Sequence, residues 1–381
     1  MRRLIAWRTG EPADVLSVAQ LPPDPPPGPG QVRIAVETVG LNFLDVLLCR
    51  GDYPVRPDPP MTPGVELAGR IVAAGPGIDL GGGSHRVTGS HPLGGSDGDS
   101  GSDNDGGSDL RAGADLAGGS GLRIGSEVIA CPALPHGALG ESVTIDADLV
   151  VPRPAGIDPV DAAALPVTYQ TAWWALERAG VTAGDTVLVH AGAGGVGIAV
   201  SQLAVARGAR LLCTAGGPEK AATCRANGAD LVVDYRNEDF VPAVSAATGG
   251  AGATVVIDPV GGDVLARSLD CLAFEGRLVA VGAAGGNPPP VDPMRLIAAN
   301  ATLVGLSWGS AYPWQRPAQV RAAYRMVFEL CAAGAVRPPV SRVVPLAQAP
   351  AALADLAARR TVGKIVVRVA GPGDPERREP A

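Results

Sequence analysis

Apolar residues in the second half of the chain fall in short unbroken runs, each followed by a stretch of helical spacing. Residues 186–190, 210–214, 231–234, 254–258, 276–282 and 301–305 read as strands. Residues 195–206, 218–227, 238–247 and 262–272 read as the helices between them. Strands apolar at nearly every position need cover on both faces, so this alternation predicts a doubly wound parallel sheet. The first 75 residues instead resemble short strands broken by turns, with 32–36 and 64–72 the clearest, and 124–130 resumes that texture. The tail predicts helices near 316–333 and 349–359 and a last strand at 364–369, ahead of a charged, frayed end.

Between the two early strand regions, 81–120 breaks the pattern. It repeats Gly, Ser and Asp, has no aromatic residue, and lacks the apolar surface that would offset the entropy of ordering it. It reads as a disordered surface insertion, since no EF-hand or glycine-rich calcium repeat fits. Even with this segment included, the 381 residues are 46% hydrophobic, enough for two cores.

Charge narrows the partners. With 31 basic against 38 acidic residues the net is −7, and no Lys/Arg run offers a footprint for nucleic acid or an anionic membrane. Six scattered cysteines form no close pair and suit a reducing cytoplasm; they and the four histidines have no metal-ligand spacing. The N-terminal apolar run is too short for a signal peptide. Residues 187–206 carry no charge and are long enough to cross a bilayer. Glycines crowd its centre, so a strand, a turn and a helix describe it better.

That turn, Gly192-Ala193-Gly194-Gly195-Val196-Gly197, fits G-x-G-x-x-G directly after a strand and at the opening of a helix. Glycines there let a pyrophosphate approach the backbone, and the helix N-terminus supplies amides to its charge. The next strand ends in Thr214-Ala215-Gly216-Gly217-Pro218-Glu219-Lys220, without the acid that binds the ribose of NAD. Lys220 suits a 2′-phosphate and favours NADPH. As an ordinary surface lysine beside Glu219, it leaves NADH open.

With these residues the chain resembles the medium-chain dehydrogenase/reductase superfamily, in its zinc-independent, zeta-crystallin-like quinone oxidoreductase branch. The resemblance runs through Gly40-Leu41-Asn42-Phe43-Leu44-Asp45, Gly51-Asp52-Tyr53-Pro54, Pro63-Gly64-Val65-Glu66 and Ala162-Ala163-Ala164-Leu165-Pro166. It continues through Thr171-Ala172, the glycine turn, Gly228-Ala229-Asp230, 234–240 and Gly363-Lys364. It implies a cofactor domain at 166–309 and a mostly β, GroES-like catalytic domain at 1–165 with 310–381. Zinc-dependent relatives carry Cys near Leu41 and His at Val65, and a cysteine-rich lobe that this chain lacks. Ser126 replaces the usual Asp of a Gly-Asp-x-Val turn.

The resemblance implies metal-free reduction of a small quinone or enone by NADPH, and a homodimer. The matching cofactor contacts are Asn42, Thr171, Gly192, Gly194, Gly195, Val196, Gly197, Gly216, Lys220, Tyr235, Val281, Gly282 and Lys364. Asn42, Asp45 and Tyr53 match the catalytic side. Tyr53 reads equally as a hydrogen-bond donor to substrate or as a pocket wall, and Asp45 as a helix cap. Lys364 reads either as a phosphate ligand or as a snorkelling edge-strand lysine. His190 reads as a packed turn residue. An enoyl-thioester or enone reductase, and a low-turnover NADPH-binding protein, remain the rival readings.

Overall fold

The structure, a computed structural model, describes residues 1–78, 122–134 and 136–369. The expected insertion at 81–120 and the charged end lie outside the described residues.

Six parallel strands form one sheet, in the order Leu231–Asp234, Arg210–Ala215, Thr186–Val189, Ala253–Asp258, Leu272–Ala280, Thr302–Gly305. Alternation puts successive side chains on opposite faces. Leu188 accordingly enters one core with Leu212 and Val256, while Val187 and Val189 enter another with Leu211 and Ile257. The chain starts at the centre, winds outward to one edge, then returns to build the other side. The crevice created by that reversal opens above the carboxyl end of Thr186–Val189, where such sheets bind ligands.

Seven strands form the second sheet. Val340–Pro345, Lys364–Arg368, Gln31–Gly40, Leu67–Ala74, Glu127–Ala130 and Val150–Pro152 lie side by side, and Ser142–Asp146 also pairs with Gln31–Gly40. Alternation along Gln31–Gly40 points Val32, Ile34 and Val36 into a core shared with Leu67, Ile71 and Val128. Where the halves meet, Ala68, Ile129 and Val366 of this sheet pack on Ala162, Ala163, Ala164, Trp308, Val320 and Tyr324.

The sequence misplaces some boundaries. The strand expected at 276–282 is Leu272–Ala280, with Glu275 at a positive φ of 57° and a register shift against its neighbour. Helix Trp308–Gln315 contains Pro313, which hides it from a propensity reading. The segment 187–206 resolves into strand Thr186–Val189, the glycine turn and helix Gly195–Ala206. Among the described residues no helix is long and apolar enough to cross a membrane.

Candidate active site

The glycine turn divides into two kinds of position. Gly192 and Gly197 are buried: a methyl on Gly192 would lie 2.9 Å from Cys213 Cβ, and one on Gly197 would strike the Ala191 carbonyl. Gly194, Gly195 and Val196 are half-buried and border the crevice, and only the Ala191 carbonyl, at 3.3 Å, approaches a methyl on Gly194. Gly194 opens helix Gly195–Ala206 with no side-chain cap. The first amides of a helix have no partner within it, so these are turned to the crevice with the positive end of the dipole.

At the end of the next strand, Gly216 lies under Tyr235, whose hydroxyl is 2.5 Å from where a methyl on that glycine would sit. Gly217, at φ 94°, donates its amide to Asp234 Oδ1 at 2.9 Å. That hydrogen bond leads the contacts that hold the Asp234 carboxyl below its ordinary range. Lys220 Nζ donates to the Arg359 carbonyl at 2.8 Å. Burial, and then the like charge of Arg236, push its ammonium below the usual lysine value; Arg359 adds to this. Arg236 lies against both glycines, its guanidinium nitrogens 3.2 and 3.3 Å from where their methyls would sit, and Lys220 is close enough to Arg236 and Arg359 to be repelled by both. The sequence pointed only to Lys220. Arg236, next to Tyr235, carries no motif that marks it, and Arg359 lies 139 residues from Lys220, beyond any local signal.

Asn42 begins helix Phe43–Arg50, and the Asp45 side chain reaches back to it. Asp45 is fully buried, accepting from the Asn42 amide and the Gly64 amide, both at 2.8 Å. Burial raises its carboxyl to about 6. Both oxygens are committed to backbone amides, which is the capping role and removes Asp45 from contact with a substrate.

Lys364 departs from both of its sequence readings. Its strand is interior, between Val340–Pro345 and Gln31–Gly40, and its side chain is 3% exposed. It neither snorkels nor has a donor to spare. Nζ donates to the Leu41 carbonyl and to Asn42 Oδ1, each at 2.8 Å, and pairs with Glu66. Three donors meet three acceptors. Glu66, which no local pattern marks for a role, is central to this cluster.

Tyr53 is half-buried and hydrogen-bonds to Ser307, which follows the last strand of the parallel sheet. Burial raises its phenol above the ordinary value. Thr171 lies on helix Pro166–Ala179, and Val281 and Gly282 follow directly after strand Leu272–Ala280. His190 is buried, with Thr214 Oγ1 at 3.0 Å and Ser268 Oγ at 2.9 Å on its two nitrogens, and desolvation lowers it to about 3. It stays neutral, packed behind the turn.

Residues 28–155 match the alcohol dehydrogenase GroES-like domain and 195–328 the zinc-binding dehydrogenase family. Quinone oxidoreductase-like protein 2 of Mus musculus is 31% identical over 92% of this chain and 88% of its own length. The chain belongs to the medium-chain dehydrogenase/reductase superfamily. Among solved members, the Escherichia coli quinone oxidoreductase complexed with NADPH has a TM-score of 0.80 and 27% identity. The match covers 97% of this chain and all of that one. Phthioceranic/hydroxyphthioceranic acid synthase of Mycobacterium tuberculosis is 31% identical over 90% of this chain, which spans 14% of that protein.

One matched family is described by zinc, and the residues here do not fit a catalytic zinc. Buried Leu41 and Val65 occupy the two expected ligand positions, and neither side chain can donate to a metal. Among the described residues no group of three His, Cys, Asp or Glu side chains converges. NADPH fits: the uncapped turn suits a pyrophosphate and the three cations suit a 2′-phosphate.

Proposed function

We propose that the protein is an NADPH-dependent reductase of quinones or related conjugated carbonyls. The observation that carries this reading is the glycine turn, open and uncapped, set beside Lys220, Arg236 and Arg359. Similarity to the E. coli quinone oxidoreductase–NADPH complex supports it. Turn amides from Gly195 to Gly197 would hold the pyrophosphate, since that of Gly194 donates to the Ala191 carbonyl, and Tyr235 and Gly216 would border the adenosine. Asn42, Thr171, Val281 and Gly282 would line the nicotinamide end, with Gly192 shaping the turn from below.

Bound NADPH supplies a hydride, and a quinone is already electron-poor enough to accept it, so the protein mainly orients and desolvates the pair. Tyr53 remains protonated at neutral pH and would donate a hydrogen bond to the acceptor oxygen as charge develops there. No step is assigned to Asp45. On this reading 1–165 with 310–381 would make up the substrate domain and 166–309 the cofactor domain. All six cysteines are free thiols, which suits a reducing cytoplasm. A homodimer through the open edge strand Thr302–Gly305 completes the reading. An enoyl-thioester reductase is the second reading, favoured by similarity to the mycobacterial synthase.

The test is NADPH consumption with ortho- and para-quinones and crotonyl-CoA, with NADH in parallel. Quinone turnover preferring NADPH is expected. Turnover of crotonyl-CoA alone would replace it with the second reading, and NADPH binding with no turnover would leave a binding protein.

A further inference from the structure

Glu66 is a carboxylate with three hydrogen-bond partners on three separate segments. Its side chain is fully buried, Oε1 accepts from Asn42 Nδ2 at 2.8 Å and pairs with Lys364, and Oε2 accepts from the Val167 amide at 2.7 Å. Val167 lies in the first turn of helix Pro166–Ala179, so the carboxylate also faces that helix's positive end. Gly40 is required beside it, because a methyl there would collide with the Glu66 carboxylate and the Ala163 carbonyl.

Lys364 carries the same network toward the cofactor side. Its Cδ is 2.8 Å from where a methyl on Gly195 would sit, and the preceding Gly363 amide donates to the Ala193 carbonyl at 2.8 Å. Its ammonium binds Asn42 Oδ1 while Glu66 binds Asn42 Nδ2. Reversing the amide would set donor against donor and acceptor against acceptor, so the pair admits one orientation of Asn42.

We propose that Glu66 and Lys364 are positioning residues. Together they fix the Asn42 amide and clamp the catalytic side onto the glycine turn, presetting the distance over which hydride passes. This rests on the reductase reading and extends it. Neither residue touches the reacting atoms. A purely structural ion pair would set how much enzyme is folded; a positioning pair also sets how well each folded molecule transfers hydride.

The test uses the full chain as Glu66→Gln, Lys364→Met and the double variant. The double variant keeps volume and leaves no unpaired buried charge, so it folds even if a single variant does not. Three quantities are compared with wild type: NADPH affinity, the kcat per folded molecule with 1,4-benzoquinone, and the isotope effect with 4-deuterated NADPH. Affinity within about threefold, kcat lower by about 10- to 100-fold, and a raised isotope effect are expected, since small misplacements cost that much. Unchanged kcat and isotope effect in the folded double variant would overturn the proposal.

If wild type turns over no acceptor, the reductase reading fails separately, and the fluorescence of bound NADPH decides on the pair. A loss of at least about half the enhancement, as a loosened nicotinamide tumbles, supports it. Equal enhancement refutes it.

Discussion

His190 shows how one buried ring can govern stability while taking no part in the chemistry. Ser268 Oγ donates to the Val264 carbonyl at 2.7 Å, so it must accept from His190 Nε2–H, leaving Nδ1 to accept from Thr214. That network holds only a neutral imidazole, and burial lowers its pKa from 6.5 to about 3. A depressed folded value gives stability that is present above pH 6.5 and lost as pH falls through 3. The shift corresponds to roughly 5 kcal/mol. Asp45 and Asp258 have the opposite sign. Burial raises each from 3.8 to about 6, so their contribution is present below 3.8 and lost as pH rises through 6. They act equally in a His190→Gln variant and cancel in the comparison. The stability gap between wild type and that variant, from urea midpoints, should hold above pH 6.5 and shrink from there to pH 4; a constant gap throughout would contradict this. The sequence showed His190 to be a packed residue because it stood between an apolar strand and a glycine turn. It showed nothing of Glu66, whose partner is 298 residues away, or of Lys364's interior placement, which depends on a strand pairing that no local pattern records.

At the scale of the element, the glycine turn separates roles that the motif alone merges. Gly197 has backbone against the place of its missing side chain, whereas Gly194 has an ordinary φ of −81° and space. Gly197→Ala should therefore destabilise the fold by about 1–3 kcal/mol, as overpacking does. Gly194→Ala should leave stability within about 1 kcal/mol and weaken NADPH about tenfold, because its methyl enters the path of the pyrophosphate. Thermal midpoints and NADPH titrations on both variants check the split, and equal behaviour would refute it. The six strands of the parallel sheet were legible because each is short, apolar and bounded by glycine or a charged turn. Of helix Phe43–Arg50 only the cap at Asp45 was, since its buried residues Val46, Leu48 and Cys49 lie in one apolar block with no repeating period.

At the scale of the molecule, the parallel sheet ends at Thr302–Gly305, whose outer edge has no partner strand among the described residues. Phe274 beside it is 68% exposed, and Leu303, Met294 and Ile297 extend the apolar surface. An open edge next to exposed apolar side chains invites a second copy. Light scattering should give about twice the 38.3 kDa chain mass, and Leu303→Lys should reduce it to one. A monomeric wild type would remove the dimer from the proposal. The other sheet has a different property. Strand Lys364–Arg368 pairs with Thr38, Val39 and Gly40, so the sheet that the chain begins is closed by nearly its last described residues. During synthesis, only the Thr38–Gly40 end of this edge of Gln31–Gly40, beyond the part paired with Ser142–Asp146, waits unpaired while the whole parallel sheet is made. Glu66 waits equally long for its counter-charge. A chain cut before Lys364 would therefore carry every residue of the parallel sheet yet lack both the strand that closes the other sheet and the counter-charge of Glu66.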